Sequence, residues 1–82
     1  MSPVDLARRI LDSSLQLGGR SLGFTADTPL LGSIPELDSM AVVQVITAIE
    51  EQLGVTVNDD EISAETFATL GSLARFIAEK QG

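Results

Sequence analysis

The chain has no cysteine and no histidine, and each absence closes a class of chemistry. Without cysteine there is neither a disulfide framework nor a thiolate metal site, and a reducing compartment suits the chain. Without histidine, the commonest general base and the commonest metal ligand are both missing. Aromatic residues are few, and Phe24, Phe67 and Phe76 are the only rings. A core of Leu, Ile, Val and Ala suits packed helices better than an aromatic-rich sheet. No apolar run approaches the roughly 20 residues that span a bilayer. The N-terminus lacks the charged-then-apolar layout of a signal peptide, so the expected compartment is the cytoplasm. Positive charge is scarce too: five Lys and Arg against twelve Asp and Glu leave a net charge of −7. Such a surface repels phosphate backbones and anionic lipid, which argues against nucleic acid and membrane insertion. Its natural complement is a partner with a basic patch.

At 82 residues the chain reads as one domain over residues 1–82, expected to act as a monomer. A chain this short buries only about two-thirds of its unfolded surface, too little for a deep enzyme pocket.

Residues 3–17 have the pattern of an amphipathic helix. Pro3 suits its first turn, and Val4, Leu6, Ala7, Ile10, Leu11, Leu15 and Leu17 fall on one side of the cylinder. Gly18 and Gly19 end it. Residues 18–38 show no sustained period, and a loop this long in a small domain normally has a functional reason. Asp38 is a good N-cap for a helix over 39–53, which Gly54 stops. On that helix Val42, Val45, Ile46, Ile49 and Leu53 share one face; Met40, Gln44, Thr47 and Glu51 form the opposite stripe. Val55-Thr56-Val57 is too short for a sheet and reads as a connector. A short helical turn runs from Asn58 or Asp59 to Ile62, with another short piece over 65–68. Thr69 caps a last helix carrying Leu70, Leu73, Ala74 and Ile77 at helical spacing. The expected fold is all-α: a small four-helix bundle of three main helices and one short one, with a long loop between helices one and two.

Carboxylates and hydroxyls are what remains for chemistry. Asp59, Asp60, Glu61 and Glu65 lack the alternating spacing and central Gly of a calcium loop. They read as a solvated helix start whose acids favour the positive end of the dipole. Glu50-Glu51 and Arg8-Arg9 read as wetted surface. Ser39 stands apart, because it follows an irregular loop and opens a long helix. Its hydroxyl would sit on an exposed first turn, where free N–H groups and the macrodipole favour an anion such as a phosphodiester. By residue type alone, Asp-Ser at a helix start is more often simply a cap.

The stretch Leu37-Asp38-Ser39-Met40 resembles the attachment motif of acyl carrier proteins. The frame around it is similar over residues 3–80: Asp27-Thr28-Pro29-Leu30-Leu31-Gly32 in the long loop, then Glu50-Glu51-Gln52-Leu53-Gly54-Val55, the acidic turn Asp59-Asp60-Glu61-Ile62, and a short final helix. The resemblance implies a 4'-phosphopantetheine arm on Ser39, placed there by a phosphopantetheinyl transferase that Asp38 helps to engage. The arm's thiol would hold the acyl group as a thioester, so a chain without Cys does thiol chemistry through its cofactor. It also implies docking of acyl-transferring, ligase or synthase enzymes through basic patches. The candidate contacts are Glu36, Met40, Ala41, Gln44, Thr47, Glu50 and Glu51. An acyl tail sheltered between helices would be lined by Val42, Val43, Ile46, Ile62 and Leu70, with Ala68 leaving room.

Two departures from the family's pattern point away from housekeeping fatty acid synthesis. Glu36 stands where a Gly is common, three residues before the serine. Ala41 and Gln44 stand where fatty acid carriers tend to have acids. A specialised pathway, polyketide-like or for a lipid or exported polymer, is the expected setting. An aminoacyl or peptidyl carrier would usually flank its serine with Gly, Gly and His. An acidic helical adaptor without a prosthetic group is the remaining alternative.

Overall fold

In the computed structural model, residues 2–35 and 37–81 are described. Three helices form: α1 (Pro3–Leu15), α2 (Ser39–Leu53) and α3 (Leu70–Gln81). The short fourth helix resolves into two 3₁₀ turns, Asp59–Glu61 and Ala64–Phe67. Ser63 divides them by capping the second turn in a reciprocal box with Thr66. A third such turn, Arg20–Gly23, lies in the long loop where no period was legible.

α1 begins as the sequence suggests. Pro3 sits in its first turn, and the Ser2 hydroxyl accepts the Asp5 N–H. It ends at Leu15, short of the expected 17, because Gln16 turns left-handed at φ 54°. Leu17 is nonetheless buried, so apolar periodicity ran past the helix end. α2 has its expected bounds. The Asp38 carboxylate accepts the Ala41 N–H at 2.8 Å, and Gly54 closes the other end in a left-handed conformation.

The long loop is held at both halves. Arg8 donates from Nε to the Phe24 carbonyl at 2.7 Å, while the fully buried Ser21 hydroxyl donates to the Arg8 carbonyl at 2.6 Å. Further on, the loop runs beside the approach to α3. Leu31 N–H donates to Phe67 O, Leu30 N–H to Ala68 O, Leu70 N–H to Thr28 O and Gly71 N–H to Ala26 O. Gly71 permits this approach, since a Cβ there would stand 2.9 Å from the Ala26 carbonyl oxygen. The core is aliphatic, with Leu11, Leu30, Val45, Ile49, Leu70, Leu73 and Ile77 fully buried around Phe67. α1 packs against both other helices, whereas α2 and α3 meet only lightly. That leaves the seam between α2 and α3 the least closed in the bundle.

Candidate functional site

The end of the loop delivers Ser39 to the first turn of α2, exposed. Asp38 caps that turn, and the first helical bond is Val42 N–H to Asp38 O at 2.9 Å. The Ser39 and Met40 N–H groups therefore lie ahead of the helical ladder, without a hydrogen-bond partner among the described residues, and can serve an anion. An exposed hydroxyl beside two unused donors fits a phosphodiester on Ser39 Oγ. Asp38 holds the helix start in place, its carboxylate already engaged by Ala41 N–H.

The other candidate residues divide by face. Met40, Gln44, Thr47 and Glu51 are all exposed along the outer side of α2, Met40 at 72%. Ala41 does not stand beside them: it is 5% exposed and belongs to the core. Glu50 is half-buried, and its carboxylate accepts the Val57 N–H at 2.9 Å, so it ties the connector to α2 rather than standing free in water. Glu36 lies outside the described residues. Of the acyl-lining candidates, Val42, Ile46 and Ile62 are half-buried against the core, and Leu70 lies wholly within it. Val43 faces outward at 60% exposure, and Ala68 is exposed.

A groove of about 360 Å³ opens between the end of α1 and the start of α2, lined by Ser14, Leu15 and Gln16 on one side and Asp38, Met40, Ala41 and Gln44 on the other. Nothing in the local sequence pattern distinguishes Ser14 or Gln16. Their proximity to Ser39 comes from the packing of α1 on α2.

Among the described residues, no group of three or more Asp, Glu, His or Cys comes together as a metal site. The acidic turn is instead tied down by Glu61, which pairs with Lys80 at 2.6 Å and accepts the Asn58 N–H at 2.8 Å. The hydrogen bond from Lys80, aided by that from Asn58, holds the Glu61 carboxyl below its ordinary value of 4.5. A carboxyl with a depressed folded pKa stabilises the fold above its unfolded value. That contribution is lost as pH falls through the folded value. Glu61→Gln cannot titrate, so its melting temperature should fall less than that of the wild type between about pH 6 and pH 3. Equal falls in the two proteins would remove Glu61 from the acid response.

The family described as "Phosphopantetheine attachment site" matches residues 8–77. The solution NMR structure of a holo acyl carrier protein from Nitrosomonas europaea superposes with a TM-score of 0.88 at 57% identity, covering 98% of this chain and 96% of that one. Among the described residues no helix is long and apolar enough to cross a membrane. The chain belongs to the phosphopantetheine-attachment family: it is an acyl carrier protein, a bearer of a 4'-phosphopantetheine prosthetic group and not an enzyme.

Proposed function

We propose that Ser39 is the attachment point, and that the chain serves a specialised pathway in the cytoplasm as a single-domain monomer. The observation that carries the attachment is the exposed Ser39 hydroxyl on a capped first turn, beside two N–H groups with no partner among the described residues. When bound, the arm supplies the thiol on which acyl groups travel as thioesters. The chain's own part is to present the nucleophile and take no proton. It has no histidine, and one oxygen of the Asp38 carboxylate is held by the cap. The base that removes the Ser39 proton is assigned to the transferase. As Ser39 Oγ bonds to the pantetheine-side phosphorus of coenzyme A, the bond from that phosphorus to the nucleotide breaks. Incubation with coenzyme A and a broad-range transferase should add one phosphopantetheine unit by intact mass. A protein that gains none overturns the attachment reading.

An acyl tail would find apolar company beside Val42, Ile46 and Ile62, which are half-buried against the core that holds Phe67 and Leu70. Each CH₂ removed from water there gains roughly 0.8 kcal/mol. Val43 points away from that shelter.

Docking is where the pathway reading rests. The outer stripe begins Met40, Gln44, Thr47 and turns acidic only at Glu51, so a basic patch meets a neutral first half. Gln44→Glu restores one acid on an exposed helical position without touching the core. One exposed ion pair is worth about 0.2–1 kcal/mol, so malonyl loading by a housekeeping fatty acid synthase transferase should rise by up to about fivefold. Loading that is already as fast in the unmodified protein as in a housekeeping carrier would sink the specialised-pathway reading. Ala41→Asp is the poorer test, because Ala41 is 5% exposed and its carboxylate would be set against the core.

A further inference from the structure

The groove of about 360 Å³ beside Ser39 has the C-terminal end of α1 as one wall. α1 ends with no basic residue in its last turn, and the N–H groups of Gln16 and Leu17 both converge on one acceptor, the Asp12 carbonyl. The carbonyls of Ser13, Ser14 and Leu15 accept no backbone N–H among the described residues. Orphan acceptors at a helix end are left for water or a ligand. Facing them across the groove is Gln44, whose exposed carboxamide offers both a donor and an acceptor. Gln16 brings a second carboxamide, also exposed. At the Ser39 end lies the Met40 side chain, 72% exposed. Two of the lining residues, Asp38 and Met40, are the chain neighbours of Ser39 itself.

We propose that this groove is the resting site of the phosphopantetheine arm, an inference that depends on Ser39 being the attachment point. The arm is a chain of two secondary amides and a hydroxyl, with one gem-dimethyl unit near the phosphate. Its amide N–H groups match the orphan carbonyls at the end of α1, and its amide oxygens match the carboxamides of Gln16 and Gln44. The dimethyl unit matches Met40, an adaptable apolar surface. An acyl tail has no polar atoms to offer those acceptors, so it would leave them unpaired and is the wrong occupant here. The groove is thus the home of the unacylated arm.

The test compares apo and fully loaded ¹⁵N-labelled protein by NMR, with loading established by intact mass. Resonance changes are expected at Ser14, Leu15 and Gln16, far from Ser39 in sequence, together with contacts between arm protons and the Gln44 side-chain amide. Two substitutions remove the carboxamides while keeping the backbone. Gln44→Ala places the best helix former at an exposed helical position. Gln16→Gly suits the left-handed conformation found there. In the double variant, loaded to completion as judged by intact mass, the changes at 14–16 should disappear. Full loading with changes confined to 38–42, or running instead along Val42, Ile46 and Ile62, overturns the groove assignment and leaves the attachment standing. A protein that takes up no arm overturns both.

Discussion

Ser39→Ala should take up no phosphopantetheine at all, under conditions where the wild type gains one unit, while melting at nearly the same temperature. The two halves of this expectation have separate causes. Loading fails completely because the substitution deletes the oxygen that forms the ester, and no neighbouring hydroxyl occupies the first turn of α2. Stability survives because Ser39 is exposed and its side chain makes no hydrogen bond among the described residues. The cap belongs to Asp38, which keeps its bond to the Ala41 N–H. Ala is also the better helix former. Exposed substitutions of this kind usually change stability by no more than about 0.5 kcal/mol. Intact mass reads the first half and a circular-dichroism melt the second. A variant that still gains the unit would move the attachment to another exposed hydroxyl, Ser33 or Ser63 for example.

Phe67→Ala should have the largest effect on the fold. Phe67 heads the fully buried side chains by volume and is 2% exposed. It closes the last 3₁₀ turn before α3, and its carbonyl accepts the Leu31 N–H at 2.9 Å. Truncating a buried Phe costs about 3–5 kcal/mol, the transfer term plus the cavity left behind. Small domains have only about 5–15 kcal/mol in total. The variant should therefore approach its unfolding transition near room temperature. Phe67→Leu, which keeps most of the volume, should lose far less, and denaturant titration of the three proteins separates the cases. A Phe67→Ala loss below about 1 kcal/mol would mean that the site collapses readily and that Phe67 is no keystone.

Local signals explain what was legible in the sequence. α2 could be read to the residue because Asp38 caps it, Gly54 stops it and its apolar residues keep a helical period in between. That start puts Ser39 on the exposed first turn, but only the family resemblance singles it out as the attachment candidate. α1 was read too long because Leu17 is buried from outside the helix, and periodicity cannot tell that from helical burial. The pairing of the long loop with the start of α3 left no local trace, since Ala26 and Gly71 meet only through the fold. Arg8 and Glu50 were misjudged for the same reason. Each looked like wetted surface, yet each binds a backbone group distant in sequence, the Phe24 carbonyl and the Val57 N–H. Ala41 sits close to the stripe by angle, and only the packing of α1 reveals that it is covered.

The backbone pairing between residues 26–31 and 67–71 also sets an order of events during synthesis. The chain emerges from its N-terminus, so the loop leading to Ser39 exists before the residues that hold it. A nascent chain ending before Phe67 already has the Asp38 cap and the helical pattern of α2. It lacks the partners of Thr28, Leu30 and Leu31. Closing that long segment is the non-local, entropically costly part of folding. Ser39 is therefore set in its final frame only when residues 67–71 have been made and docked, and a transferase that reads the folded surface acts after that docking.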